Sequence, residues 1–548
     1  MIKRSLLASS ISLAILSLSQ QASAAPLLPI DARGLAMGGT GVASARYSHA
    51  PLYNPALLST ADDDEGFAIV FPQIGIVAAD EDEWVDTVQG IAEDDYKTFD
   101  ESLIDHFTTI TENLGDSLTT LESDISSLQG TINGDLKTLT TPQLATIKSQ
   151  AAGLESSLLG FQAGTLDLKE TTFDLTSEFD NLSAGSFRLK AGINGVVAIP
   201  SETFGMAISF NNSVIASGRT IFSEEDQQLI NGYAEGVNEY SNLSTDYISA
   251  TNDLIGSLEI LDTAKTSGSF AEVTAAGLIV DANQGIVDER KSLLDGYQKN
   301  VNGENIISVD GSGNIQVNED PTLTSLAHVI AIAISEIGLT LSRNFNIAGQ
   351  DIAIGITPKF QIIKTFNYVA VIEDDDFDEE ALKDTEQDFS DFNIDAGIAY
   401  QFGADKQWQA GLVAKNLLSK EYEAESNTFG PNGETLKTKI SLDTQFRGGI
   451  SHTTDWTVVA IDLDLMENDP IAFEAPTQYA SIGAELDLYD LVQLRGGYRT
   501  NLSVSNSDIV SVGLGFSPFA LKVDLTAMAN PSNPEQEFGA ALELGLYF

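Results

Sequence analysis

The side chains best able to do chemistry are sparse in this chain. Its four histidines, His49, His106, His328 and His452, are scattered without metal-ligand spacing. There is no cysteine, which removes disulfides, thiolate nucleophiles and thiolate metal sites together. Carboxylates are plentiful, with runs at Asp62–Glu65 and Glu373–Glu380. Such oxygens suit calcium, but solvated acidic loops are the simpler reading. Asp310, Ser312 and Asn314 imitate the start of a calcium loop. Ile315 then stands where that loop needs glycine, and Pro321 where it needs its bidentate glutamate, so the match fails. No Gly-x-Ser-x-Gly elbow and no phosphate-binding loop is present. The chain reads as a non-enzyme with no catalytic residue, metal or cofactor. A formal charge of -52 repels nucleic acid, so that partner is excluded as well.

The elements that carry the remaining charged residues are strands. Alternation of period two marks fourteen spans: 66–78, 186–199, 203–217, 333–345, 351–372, 391–403, 406–418, 438–452, 455–467, 476–487, 490–502, 507–517, 519–529 and 537–548. In 391–403, Phe392, Ile394, Ala396 and Ile398 share one face, and Asn393, Asp395 and Gln401 the other. In 455–467, Val459, Ile461, Leu463 and Leu465 oppose Ala460, Asp462 and Asp464. The polar faces hold ions of both signs, including Arg188, Lys190, Lys359, Lys415, Arg495, Arg499 and Lys522. Most spans are long enough to cross a bilayer as tilted strands. Connections after even-numbered spans are tight, as at Pro200–Glu202, Thr453–Thr454 and Ser517–Pro518. Those after odd-numbered spans are mostly longer, above all 79–185 and 218–332. Sorting of loop length by parity fits an up-and-down transmembrane barrel. A soluble sandwich has no reason for it.

Both ends of the chain agree. Lys3 and Arg4 precede an apolar stretch from Leu6 to Leu18, and Ala22, Ser23 and Ala24 form a small-residue cleavage site. Residues 1–24 therefore read as a secretory signal peptide. No stretch of 18 or more apolar residues is present to make a membrane helix. At the other end Leu542, Leu544, Leu546 and Phe548 line one apolar face of the last strand. A terminal Phe there resembles the recognition signal of bacterial outer-membrane barrels, with Leu544 and Leu546 completing the assembly signal. The expected fold is an all-β transmembrane barrel of about 14 antiparallel strands spanning 66–548. An N-terminal plug occupies 25–65, and two long α-helical insertions lie outside the cell.

Within 79–185, Leu103, Phe107, Ile110, Leu114, Leu118, Leu121, Ile125, Leu128 and Ile132 recur by threes and fours, and Leu154, Leu158 and Phe161 continue the seam after Pro142. Gly115, Gly130 and Gly134 weaken that helix. A second helical pattern runs through Leu229, Tyr233, Val237, Tyr240, Tyr247, Leu254, Leu258 and Leu261. Either the seams pack against one another as a cap, or part of a seam docks a partner at the cell surface.

The segment Asp31–Ala45, rich in Gly38, Gly39 and Gly41, is followed by Tyr53, Asn54, Pro55 and Ala56. It resembles the N-terminal plug of the FadL-type outer-membrane transporters for hydrophobic compounds. A closer resemblance is to the exported proteins of the conjugal-transfer TraF-type family. It rests on Pro29–Arg33, Met37–Val42, Tyr53–Ala56, Gly411–Asn416 and Arg495–Asn501. The resemblance implies an outer-membrane location, a fourteen-strand barrel with a plug, and a channel or transporter for small hydrophobic molecules. Leu35, Met37, Val42, Tyr53 and Asn54 are then the ligand candidates, unless they only pack the plug. The alternative is a surface-exposed structural or cell-contact protein linked to conjugative plasmid transfer, acting through the helical cap. Expected partners are outer-membrane lipid, the barrel-assembly machinery, and a small hydrophobic ligand or a surface partner.

Overall fold

The computed structural model describes residues 29–61, 66–80, 101–133, 135–201, 203–311, 314–318, 321–347, 350–371, 379–429, 434–436, 438–505, 507–534 and 536–548. The segment 1–24 read as a signal peptide, the acidic runs 62–65 and 373–378, Gly134 and Ser312 lie outside them, as do the side chains of Leu103, His106, Phe107 and Ile110. Fourteen strands form one closed antiparallel barrel. They are β1 (Ala68–Asp80), β2 (Phe187–Ile199), β3 (Gly205–Ile221), β4 (Leu326–Ile347), β5 (Gln350–Val371), β6 (Gln387–Phe402), β7 (Trp408–Lys415), β8 (Gln445–Thr453), β9 (Thr457–Asp464), β10 (Tyr479–Leu488), β11 (Val492–Asn501), β12 (Ile509–Phe516), β13 (Leu521–Ala529) and β14 (Glu537–Tyr547). Each predicted span overlaps one of them. β14 closes the wall on β1, with Gln73 opposite Glu543 and Ile76 opposite Ala540. Beyond the last pair, Phe548 stacks on Phe67 at 4.5 Å between ring centroids.

Side-chain placement is inverted relative to a water-soluble protein. Ile208, Ile398, Ile461 and Leu525 point outward and are 45–58% exposed. The opposite faces are buried and polar, and Arg447 and Arg499 are each only 1% exposed. An apolar exterior around an ionic interior is stable where the exterior meets lipid, and closure leaves no strand edge with unpaired backbone groups.

Short connections gather at one rim, at 200–204, 348–349, 403–407, 454–456, 489–491 and 517–520. The other rim carries the long ones. Two details differ from the sequence reading. β4 starts at Leu326 rather than at 333, and the span 438–452 is split. Lys439–Leu442 leaves the wall and pairs with Lys420–Glu423, and only Gln445–Thr453 stays in the barrel. That small hairpin folds over the lumen.

The insertions are helical, as their seams require. α1 is the short plug helix Ala32–Ala36, and α2 (Glu101–Ile132) and α3 (Thr141–Ala184) make the first insertion. α4 (Glu224–Ser267) and α5 (Phe270–Asp295) begin the second. α2 runs through both Gly115 and Gly130, because the buried seam outweighs their low helix propensity. The two insertions share one core. Leu121, Ile125, Leu128, Leu154 and Phe161 of the first pack with Leu229, Tyr247, Leu254 and Leu258 of the second. A three-stranded sheet, Gln298–Val301, Glu304–Val309 and Ile315–Val317, follows α5 and buries Ile306 and Ile307 in that core. The sequence reading did not anticipate it. Asp310, offered by the failed calcium motif, instead accepts hydrogen bonds from Asn314 within this sheet's last turn.

Candidate functional site: the plugged lumen

Residues 29–61 fill the lower lumen, on the side of the tight turns. Local chemistry shapes the segment. The Asp31 carboxylate caps α1 by accepting from the Gly34 amide at 2.7 Å. Gly38 and Gly39 follow with φ of +71° and +86°, a left-handed turn that side chains resist. Asn54 explains its motif in three hydrogen bonds. Its Oδ1 accepts from the Ala56 amide at 3.1 Å, starting the 3-10 turn Pro55–Ser59. Its Nδ2 donates to Val42 O at 2.9 Å and to Ile398 O of the wall at 3.0 Å. The wall makes room. A Cβ on Gly411 would stand 2.4 Å from Val42 O, and one on Gly497 would stand 2.1 Å from Gly38 N. The motifs Gly411–Asn416 and Arg495–Asn501 thus mark where plug and wall touch.

Buried ions fasten the plug. Arg33 Nε lies 3.0 Å from Glu485 Oε2, which Arg495 Nε also meets at 2.5 Å; Arg495 Nη1 reaches Asp524 at 2.6 Å. Asp462 Oδ2 accepts from the Gly41 and Val42 amides at 2.8 and 2.9 Å. His49 Nε2 meets Glu543 Oε1 at 2.8 Å. Tyr53 OH donates to Asp31 Oδ1 at 2.6 Å. Burial, then the Asp31 carboxylate, holds this phenol above its ordinary range, so it remains a donor.

The five plug candidates are all buried. Leu35 packs with Ile30, Val77 and Met528; Tyr53 packs with Ala56, Leu57 and Leu58. Met37 and Val42 sit against the wall glycines Gly483 and Gly411, and Asn54 spans plug and wall. None of the five lines the cavity of about 110 Å³ between the plug and the helix-bearing rim. Ile30 and Leu52 form its floor, and Lys190, Lys359 and Lys415 face it from the wall. Lys359 is paired with Glu336 at 3.0 Å and with Asp395 at 3.1 Å. Above the cavity the throat carries an apolar cluster, with Ser217, Thr365 and Asn367 buried beside it. Ile215, Ile330, Ile332, Ile334 and Ile363 of the wall are covered by Tyr422, Ile440 and Leu442 of the inward hairpin and by Ile471.

The lysines had been placed on polar strand faces from sequence, but their convergence had not. The carboxylate Asp462 is likewise on a polar strand face in the sequence, but its contact with the plug, like those of Glu485 and Glu543, is not visible there. Inward position in the alternation was the available signal; which inward residues meet depends on strand register.

A closed antiparallel wall, apolar outside and ionic inside, with its own N-terminal segment packed in the lumen, defines a plugged outer-membrane β-barrel. Within that class, the chain belongs to the family described as "F plasmid transfer operon, TraF, protein", matched over residues 51–464 of 548. Among solved structures it is similar to the TodX monoaromatic hydrocarbon channel lacking S2 and S3, with TM-score 0.41, 9% identity, and coverage of 94% of this chain and 99% of that one. A Pseudomonas aeruginosa FadL homologue gives TM-score 0.39, 8% identity, and coverage of 96% and 99%. The CymD monoaromatic hydrocarbon channel gives TM-score 0.31, 10% identity, and coverage of 96% and 99%. These values are too low to add to the fold already defined by strand pairing. No curated protein matches the chain.

Proposed function

We propose that this protein is a channel of the outer membrane for small, mainly hydrophobic molecules, closed at rest by its plug and by the hairpin over its throat. The observation that carries the reading is the apolar cluster in the throat at Ile215, Ile330, Ile332, Ile334 and Ile363, leading to a cavity above a non-covalently seated plug. An apolar molecule displacing Tyr422, Ile440 and Leu442 replaces one set of buried apolar contacts with another. A hydrated ion entering there loses its water. The helical cap then lies on the cell surface, and the strand ending in Leu544, Leu546 and Phe548 is the one read by the assembly machinery. The protein is not an enzyme, and needs no nucleic acid or cofactor for this role. The plug candidates Leu35, Met37, Val42, Tyr53 and Asn54 act by seating the gate, and a ligand reaches Tyr53 or Met37 only when the plug moves.

Uptake of radiolabelled toluene by a deletion strain, with and without the gene restored, tests the reading. Restoration should raise uptake severalfold, and deletion of residues 27–57 should raise leakage of small solutes while the barrel still assembles. Uptake independent of the gene in every strain overturns it. Fractionation should find the protein in the outer membrane with heat-modifiable migration, and removal of Phe548 should lower that amount.

A second reading is favoured by one observation on the cap. Leu159, Leu166 and Phe173 on α3 are 64–68% exposed, seven residues apart. Ile279, Ile286 and Leu293 on α5 repeat that spacing at 45–47% exposure. Seven-residue stripes of this kind dock other helices. Under this reading the cap is a contact surface, in line with the plasmid-transfer operon named in the family's description. Mating efficiency that falls when these six residues become polar, with toluene uptake unchanged, would select it.

A further inference from the structure

Three side chains remote in sequence meet where the plug touches the last strand. Asp31 precedes α1, His49 ends the 3-10 turn Tyr47–His49, and Glu543 points inward from β14. Each is at most 2% exposed. One ligand atom from each lies within 4.8 Å of the other two. His49 Nε2 is 2.8 Å from Glu543 Oε1 and 4.0 Å from Asp31 Oδ2. Around a tetrahedral ion with bonds of roughly 2.0–2.2 Å, donor atoms stand about 3.4 Å apart. The two observed distances straddle that value, so side-chain shifts of about an ångström seat all three donors on one centre.

The surroundings are those of a held ligand set. Ser48 Oγ lies 3.0 Å from His49 Nδ1, which orients the ring and leaves Nε2 toward the carboxylates. Tyr53 OH at 2.6 Å holds Asp31, and Gln73 Nε2 at 3.3 Å holds Glu543. Gln73 is itself fully buried, and its Oε1 has no hydrogen-bond partner among the described residues. Turning that amide over brings Oε1 to the Glu543 side as a fourth donor atom, the third oxygen beside one nitrogen. A buried acceptor left unmatched is destabilising, and a cation removes the mismatch. Two carboxylates beside one imidazole, with no thiolate, suit Zn²⁺ and similar transition ions.

We propose that Asp31, His49 and Glu543, with Gln73 as the fourth donor, bind one divalent transition-metal ion that fastens the plug to the closing strand of the barrel. The site is independent of whatever passes through the lumen. Full-length protein folded in detergent is stripped with chelator and then offered Zn²⁺ in a large excess of Mg²⁺, which occupies exposed carboxylates. Dialysis and metal analysis should find one Zn²⁺ per chain. His49→Gln keeps a hydrogen-bonding group beside Glu543 and should retain Zn²⁺ at least ~10-fold more weakly, with Ser48→Ala in between. Co²⁺ in the parent should give the visible absorption of a four-coordinate site, and His49→Gln should not. Heat-modifiable migration verifies the fold of each sample, and Glu543→Gln gives the same comparison if His49→Gln does not assemble. Zn²⁺ retained equally by parent and variants, or not retained by the folded parent, overturns the proposal.

Discussion

The cap and the barrel are built from the same residue types by opposite rules. In the cap, Leu121, Leu128, Leu154, Phe161 and Leu254 are buried, and pairs such as Lys137 with Asp281 at 2.6 Å sit on the surface. In the barrel, Ile398, Ile461 and Leu525 face out, and Arg447 meets Asp464 at 2.5 Å in the interior. The contrast shows that the medium, rather than the side chain, decides which face is hidden. One chain changes rule twice, at each insertion.

The largest test of that separation is in the cap. Leu121→Ala should cost about 2–5 kcal/mol, because a fully buried side chain leaves a cavity. Urea melting and protease digestion should register the loss in the cap, while the barrel keeps its heat-modifiable migration. A barrel that fails together with the cap would show that the two regions are one cooperative unit. Next comes the outer wall. Ile461→Arg should cost about 2–4 kcal/mol near the bilayer midplane and lower the assembled amount. Glu289→Arg on the exposed side of α5 should change stability by less than about 0.5 kcal/mol. Equal tolerance at the two positions would erase the contrast.

One residue further along, the interior can be tested in its own terms. Asp462→Ala removes the acceptor for the Gly41 and Val42 amides, a loss of about 1.5–3 kcal/mol for hydrogen bonds to a charged group. Reconstituted vesicles should leak more small solute, with assembly retained. The smallest effect belongs to the cap's surface. Glu239 meets Lys299 at 2.8 Å and accepts from Tyr297 OH at 2.8 Å. Burial opposes its charge, but the Lys299 and Tyr297 hydrogen bonds outweigh it and lower the carboxyl below its usual value. A lowered carboxyl stabilises the fold above the ordinary glutamate range and loses that contribution as pH falls through its folded value. Cap stability should thus drop by at most ~1 kcal/mol on acidification, since the pair is screened by water, and Glu239→Gln should abolish that part of the pH dependence. An unchanged profile would remove the pair from the account.

The barrel was legible because period two survives wherever one face meets lipid and the other a polar lumen. It fails where that condition fails. Around Ile330 and Ile332 the inner face is covered by Tyr422, Ile440 and Leu442, so these positions are apolar on the inside and the alternation disappears. The sheet at 298–317 escaped notice because its strands are three to six residues long. The helical seams showed that helices would form, but not that α3 would pack on α4 and merge two insertions into one core. Asn54 and Gly411 were visible as motif members, and their contact was not, because they stand 357 positions apart in the chain. The meeting of Asp31, His49 and Glu543 was hidden for the same reason: spacing along the chain reports ligand sets only when one local element carries them.

The wall is uneven in height. β4 and β5 are each 22 residues long, whereas β7 and β9 have eight. At about 3.3 Å per residue the tall side measures roughly 70 Å along the strand and the low side roughly 26 Å. Tilted by about 35–45° as barrel strands are, the low side rises only roughly 20 Å, less than an apolar band about 25 Å tall. β4 and β5 stand well above that rim on the opposite side, beside the root of the cap. The mouth is therefore cut on a slant, lowest over β7–β9 and highest beside the root of the cap.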